Sequence, residues 1–361
     1  FKDPIIMNSK PDIFPVLVNG FKNIKLLKDL LIKNKKLYGY LNENFSDYRL
    51  KQLFSRYSTY VGGSPFNSPS ILSLIWHVEC QGVWRIAGGM YDLVKQIETI
   101  SKRSDASFFY KNKVKKILMK NNKINGIELK NNKVIDCDTV IFNGDPKALF
   151  DGLLGDEIQN AVSNNNINKR SLSAYVWSFA AKTQGLDLLH HNVLFNKNYR
   201  TEFDDIKRGE IPKDPTLYIC AQGSINNPRP KEKSLGRFEI IINGSPTYNH
   251  KKYNKQKEYT KCKEITFSIL DSMGLKMDLK PTEEMLTTPK EFEQLFPGSQ
   301  GSLYGRTPHG ISSTFMRPRN KSKIKGLLLA GGGTHPGAGI PMACLSGKHA
   351  AEMILKDLSL T

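Results

Sequence analysis

The chain has 361 residues, enough for two domains with a sizeable core, and 39% hydrophobic residues, a normal share for a globular protein. No apolar run approaches the ~20 residues of a membrane span, nothing at the N-terminus reads as a signal peptide, and five cysteines without a Cys-x-x-Cys pair argue against a disulfide framework or a zinc site and for a reducing cytoplasm. The formal charge of +19 comes from 53 basic residues scattered among Asn and Ile, with no helix-turn-helix, zinc-finger or RNA-binding signature, so an anionic membrane surface matches the sign better than nucleic acid.

Residues 21–40 place Phe21, Ile24, Leu27, Leu30 and Leu31 at helical spacing among many lysines, which predicts a basic amphipathic helix, either packed on a core or interfacial. Residues 46–60 predict a second helix packing through Leu50, Leu53, Phe54 and Tyr57, broken by Gly62, Gly63 and Pro65. Gly82, Val83 and Trp84 read as a short strand, and the pair Gly88 and Gly89 opens a helix marked by Met90, Leu93, Val94, Ile97 and Ile100. From 108 to 145 the period becomes two, predicting an antiparallel meander over 114–119, 124–129 and 134–138 with Asn-Asn turns. A buried strand over 139–142 then ends in Asn143-Gly144-Asp145-Pro146.

Further on, residues 172–181 alternate so that Tyr175, Trp177 and Phe179 share one strand face, as core or as a cavity wall. Strands are expected at 193–195, 217–221 and 238–242. A helix over 253–273, with Tyr259, Cys262, Ile265, Ile269, Leu270 and Met273 inward, is stopped by Gly274. Thr288 and Glu291 form a capping box around Pro289. Near the end, Leu327 to Ala330 is a wholly apolar strand, followed by a loop with glycines at 331, 332, 333, 337 and 339. The helix after it has Pro341 in its first turn and a small-residue face at Ala343, Ser346, Gly347 and Ala350. Strand, glycine loop and helix N-terminus together suit an electron-rich or anionic ligand. The spacing is neither a dinucleotide fingerprint nor a P-loop, since position 336 is Pro and Lys348 is followed by His349. No catalytic triad, carboxylate pair or metal cluster is evident in the sequence, and no metal is expected.

The string Ala-Gly-Gly-Gly-Thr-His-Pro-Gly-Ala-Gly-Ile-Pro-Met-Ala from Ala330 to Ala343 closely resembles the C-terminal flavin-contacting segment of bacterial-type carotenoid desaturases, the phytoene desaturase family of the flavin amine oxidase superfamily. Leu-Tyr-Gly-Arg-x-x-His-Gly from Leu303 to Gly310, before Arg317-Pro318, resembles the hydroxycarotenoid 3,4-desaturase or methoxyneurosporene dehydrogenase branch. The resemblance implies an α/β fold in which a Rossmann-like FAD-binding domain is interleaved with an α+β substrate domain. No Gly-x-Gly-x-x-Gly occurs, so the first βαβ unit is expected to be missing and the chain to be a fragment. The segments expected are a helical, membrane-facing part over 1–78, an FAD-domain segment over 79–148, a substrate domain over 149–322 and a closing FAD-domain segment over 323–361.

Carried over by the resemblance, Gly332, Gly333 and Thr334 lie along the flavin ribityl, and Gly339, Ile340, Pro341 and Met342 near the flavin carbonyl. Gly88 and Gly89 border the cofactor and substrate cavity, Val114 supports the adenine, and Asn143 lies near the cofactor. Arg306 and His309 are candidates for contact with a substrate hydroxyl, against a salt bridge and a turn histidine. The implied activity is FAD-dependent desaturation of a C40 carotenoid at a membrane surface, by a peripheral cytoplasmic protein using oxygen or a quinone as electron acceptor. A phytoene desaturase, a carotenoid isomerase, another flavin amine-oxidase-like oxidoreductase or a non-catalytic lipid-binding protein are the alternatives.

Overall fold

The computed structural model describes residues 6–9, 35–222, 235–249, 254–310, 313 and 316–359. Among the described residues four α-helices come first: α1 (Leu37–Asn44), α2 (Tyr48–Ser55), α3 (Leu74–Glu79) and α4 (Met90–Arg103). The strands β1 (Val114–Lys120), β2 (Lys123–Leu129) and β3 (Val134–Asp136) form the expected antiparallel meander. Its turns place Asn121, Asn122 and Asn132 at positive φ, which Asn tolerates better than bulkier residues. Next, β4 (Val140–Phe142) runs into α5 (Pro146–Phe150), capped by Asp145.

A larger sheet follows, built from β5 (Ser173–Gly185), β6 (His191–Leu194), β7 (Leu217–Gln222) and β8 (Gly236–Gly244), with α6 (Tyr199–Lys207) between β6 and β7. After α7 (Lys255–Ser272) come β9 (Leu275–Asp278), β10 (Leu286–Thr287) and α8 (Pro289–Leu295), which carries the predicted capping box. The sheet order is β10-β5-β8-β7-β6, and β9 pairs with the far end of the long β5. One face of this sheet makes the main core with α7. Trp177 is fully buried there, edge-on to Phe267 at 5.4 Å between ring centroids, and its Nε1 donates to Thr266 Oγ1 at 3.1 Å. The aromatic face of Tyr175, Trp177 and Phe179 is therefore core packed on α7, not a cavity wall.

The chain closes with β11 (Leu327–Leu329), parallel to β4, and α9 (Ile340–Ser359). The apolar run needs no alternation because both faces of β11 are covered: the meander and α5 on one side, Ala350 of α9 on the other.

Several expectations change. Gly82, Val83 and Trp84 form no strand: they pair with no described strand, and Val83 and Trp84 stand 73% and 80% exposed. The inward face of α2 is polar. Gln52 and Ser55 are buried while Leu50 and Leu53 are exposed, because Gln52 Nε2 donates to the Asn196 carbonyl at 3.0 Å. Phe54 stacks on Phe45, and Tyr57 donates to Glu79 Oε2 at 2.6 Å. The helix α4 forms as its spacing predicts, yet none of its residues is buried among the described ones. Met273, expected inward, is exposed where α7 ends. Of the basic stretch at 21–40, residues up to 34 lie outside the described residues; the remainder leads into α1. No helix among the described residues is long and apolar enough to cross a membrane.

Candidate functional site

Parallel pairing of β4 and β11 delivers two turns to one place: residues 143–146 after β4, and the glycine loop after β11. The backbone ladder continues one step beyond the strands, with Ala330 N donating to the Phe142 carbonyl at 3.1 Å. The two turns then touch so closely that side chains are excluded. A Cβ on Gly331 would come within 2.5 Å of Asn143 Oδ1, and one on Gly333 within 2.9 Å of the Pro146 ring. From beneath, the 304–306 segment presses on the same loop, since a Cβ on Gly305 would sit 2.9 Å from Gly333 Cα.

Two buried polar side chains hold this arrangement. Arg317 Nη1 donates to the carbonyls of Tyr304 and Gly332, each at 2.9 Å, and its Nη2 to the Arg306 carbonyl at 3.1 Å. Asn320, with no exposed surface, donates through Nδ2 to the Leu329 carbonyl at 3.0 Å and to Ser346 Oγ at 2.9 Å, joining β11 to α9. Ser346 Oγ in turn accepts from Gly331 N at 3.2 Å. Burial, with the neighbouring Arg170 guanidinium, pulls the Arg317 pKa down to about 10, while the Asp145 carboxylate works the other way. Arg317 is thus a buried cation whose hydrogen bonds go to backbone carbonyls. The buried Arg170 takes the Asp145 carboxylate as its partner.

The open side of the loop is equally defined. Gly339 has φ +98°, a region that costs an L side chain about 1–2 kcal/mol, and a Cβ there would meet nothing within 4 Å. Ile340 and Pro341 are exposed and Met342 half-buried, so the first turn of α9 is uncovered with its dipole's positive end outward. Thr334 is fully buried, and its Oγ1 has no hydrogen-bond partner among the described residues. An orphaned hydroxyl, an uncovered helix N-terminus and a buried cation behind the loop make a cradle for a planar, electron-rich group with polar edges. A flavin meets those requirements.

Comparison with known proteins agrees. The profile of flavin containing amine oxidoreductases matches residues 29–176 and 269–355. A hydroxyneurosporene desaturase of Cereibacter sphaeroides is 43% identical over 99% of this chain and 71% of its own length. That of Rhodobacter capsulatus is 43% identical over 97% of this chain and 67% of its own. The chain belongs to the carotenoid desaturases of the flavin-containing amine oxidoreductase family. A 1-hydroxycarotenoid 3,4-desaturase of Flavobacterium is 31% identical over 87% of this chain and 64% of its own. A solved oxidoreductase from Methanosarcina mazei shares the fold at a TM-score of 0.54, with 15% identity, over 94% of this chain and 74% of that one.

Within this carotenoid desaturase fold, the structure brings together Asn143, Gly332, Gly333, Thr334, Gly339, Ile340, Pro341 and Met342. Val114 instead pairs with Leu129 at the start of the meander, and Gly88 and Gly89 lead into α4, both at positive φ. Arg306 forms no salt bridge with a described residue: its guanidinium donates to the Asn165 carbonyl and to Met316 Sδ, and burial lowers its pKa. His309 accepts a 2.9 Å hydrogen bond from Ser64 N through Nε2 and borders a cavity of about 780 Å³ with Phe66, Leu172, Arg200 and Phe203. Burial, followed by Lys169 and Lys36, lowers its pKa to about 4, so the imidazole is neutral. Arg317 and Asn320 escaped the sequence reading, although the Arg317-Pro318 turn was visible and was a cue to the first of them.

Proposed function

We propose that this chain is the body of an FAD-dependent carotenoid desaturase that inserts a C=C bond into a hydroxylated C40 polyene, the 1-hydroxycarotenoid 3,4 position being the preferred reading. The observation that carries it is the open cradle at the α9 N-terminus, in a chain that two hydroxyneurosporene desaturases match almost end to end. When bound, FAD supplies a two-electron acceptor that takes hydride from an unactivated carbon, which no side chain can do. The uncovered N–H groups at the start of α9 would hold its polar edge, with the buried Thr334 supporting the loop behind them. The helix dipole and the Arg317 cation favour negative charge at that edge. Asn143 and Gly333, packed with Pro146 and Gly305, fix the loop so that the donors need no reorganisation.

At about 0.8 kcal/mol per buried CH₂, a C40 chain is held in a bilayer by on the order of 30 kcal/mol, so the enzyme works at the membrane surface on the cytoplasmic side. Its basic excess suits anionic lipid, and oxygen or a quinone is the electron acceptor. The test is turnover by the purified enzyme with FAD and liposomes carrying either a 1-hydroxycarotenoid or phytoene. The reading expects the hydroxylated substrate to give a product two hydrogens lighter and red-shifted in absorption. Consumption of phytoene alone would make the enzyme a phytoene desaturase, and a product of unchanged mass an isomerase.

A further inference from the structure

The face of the six-stranded sheet opposite its core carries a second group of reactive side chains. β6 and β7 pair so that His191 stands across from Cys220, and β7 and β8 so that Cys220 stands across from Glu239. Directly opposed residues share a face, so these three form one row, while Ile219, Ala221, Phe238 and Ile240 point into the core. His190 precedes β6 and escapes strand alternation. Its carbonyl still accepts from Ala221 N at 2.9 Å, but its ring packs edge-on to that of His191, with centroids 4.4 Å apart.

The distances suit one metal centre. Cys220 Sγ lies 3.8 Å from His190 Nε2, and single ligand atoms of His190, His191 and Cys220 all lie within 4.8 Å of one another. A tetrahedral zinc ion with bonds of about 2.3 Å to sulfur and 2.0–2.1 Å to nitrogen separates its ligand atoms by about 3.5 Å, so a small contraction closes the set. His191 Nδ1 and Tyr218 Oη form a 2.6 Å hydrogen bond, which orients the ring, and no described residue takes its Nε2. Metal-bound imidazoles carry an outer hydrogen bond of this kind. Glu239, in the same row and half-buried, meets no charged partner among the described residues.

We propose that His190, His191 and Cys220 bind a soft divalent cation of the zinc class, with the fourth position left to solvent water. Binding converts the Cys220 thiol to a metal thiolate and releases its proton to solvent; no electrons move. The cation ties the loop before β6, the edge strand β6 itself and β7 into one unit. Sequence spacing hides this, because His190 and Cys220 are 30 positions apart and only strand register joins them.

The test uses chelator-treated purified protein titrated with Zn²⁺, Cd²⁺ and Co²⁺ in turn. We expect one equivalent to bind, with a sulfur-to-metal charge-transfer band for Cd²⁺ and Co²⁺, proton release and a higher melting temperature. Cys220→Ser abolishes the band, whereas Cys137→Ser and Cys344→Ser, which remove the half-buried and exposed thiols, leave it unchanged. Tyr218→Phe lowers affinity by about tenfold. Should Cys220→Ser fail to fold, His191→Gln provides the same comparison through lost affinity. Absence of stoichiometric binding by folded wild-type protein, or a band that survives loss of the Cys220 thiol, overturns the proposal.

Discussion

Two amphipathic helices of this chain meet opposite fates. The α7 helix lays Cys262, Thr266 and Leu270 onto the six-stranded sheet and closes the core around Trp177. In α4, Val94, Ile97 and Ile100 also recur at helical spacing and stay exposed, as do Trp84 and Phe109, among the described residues. Periodicity shows that a helix has an apolar side; only a partner surface makes that side a core. The six-stranded half is thus held by burial, whereas the glycine loop is held by Arg317 and Asn320, whose bonds go to backbone.

The largest expected effect tests the first half of that contrast. Trp177→Ala should cost about 3–5 kcal/mol in denaturant unfolding, while Ile97→Ala should stay within about 0.5 kcal/mol. A large loss at Ile97 would show that the apolar side of α4 is covered in the protein in solution.

Next comes Arg317→Met, which keeps the side chain's bulk and removes three hydrogen bonds to carbonyls. With charged-group bonds contributing about 1.5–3 kcal/mol each and part of the loss offset by not burying a cation, a net cost of about 2–4 kcal/mol is expected. Flavin affinity should fall with it. Retained stability and affinity would mean that the loop holds its shape without the guanidinium.

A smaller effect concerns pH. His309 is held neutral in the fold, with its pKa lowered from 6.5 to about 4. Between those values the unfolded chain binds the extra proton, so stability is lost as pH falls from 6.5 toward 4, with a slope of at most about 1.4 kcal/mol per pH unit from this group. In His309→Gln that part of the slope should vanish, as read by urea midpoints across the range. An unchanged slope would remove His309 as its source.

What the sequence showed follows the same contrast. The apolar strand at 327–329, the meander with its Asn turns, the capping box at Thr288 and the glycine string were legible because each depends on local chemistry or on a motif matched residue by residue. The polar inner face of α2 was not, since Gln52 is buried only because the Asn196 carbonyl awaits it from a strand connection 144 positions away. Nor was the strand predicted at Val83 and Trp84 correct, because β propensity makes a strand only where a partner strand takes up its hydrogen bonds, and no described strand pairs with these residues. Arg306 was singled out for its motif, yet its guanidinium serves the Asn165 carbonyl, while Arg317 grips the loop. Partners distant in sequence decided each of these cases.

The central claim is that the loop ending at Gly339 holds the flavin, and flavin titration with redox potentiometry on two matched glycine variants tests it most directly. Gly339 and Gly274 both sit at positive φ with open space where a Cβ would go, so Gly339→Val and Gly274→Val carry similar backbone strain of about 1–2 kcal/mol. At the α9 N-terminus that strain turns N–H donors away from the flavin edge; at the end of α7 it touches only stability. The account predicts lower flavin occupancy or a lower reduction potential in Gly339→Val and wild-type values in Gly274→Val. Unchanged occupancy and potential in folded Gly339→Val would contradict it.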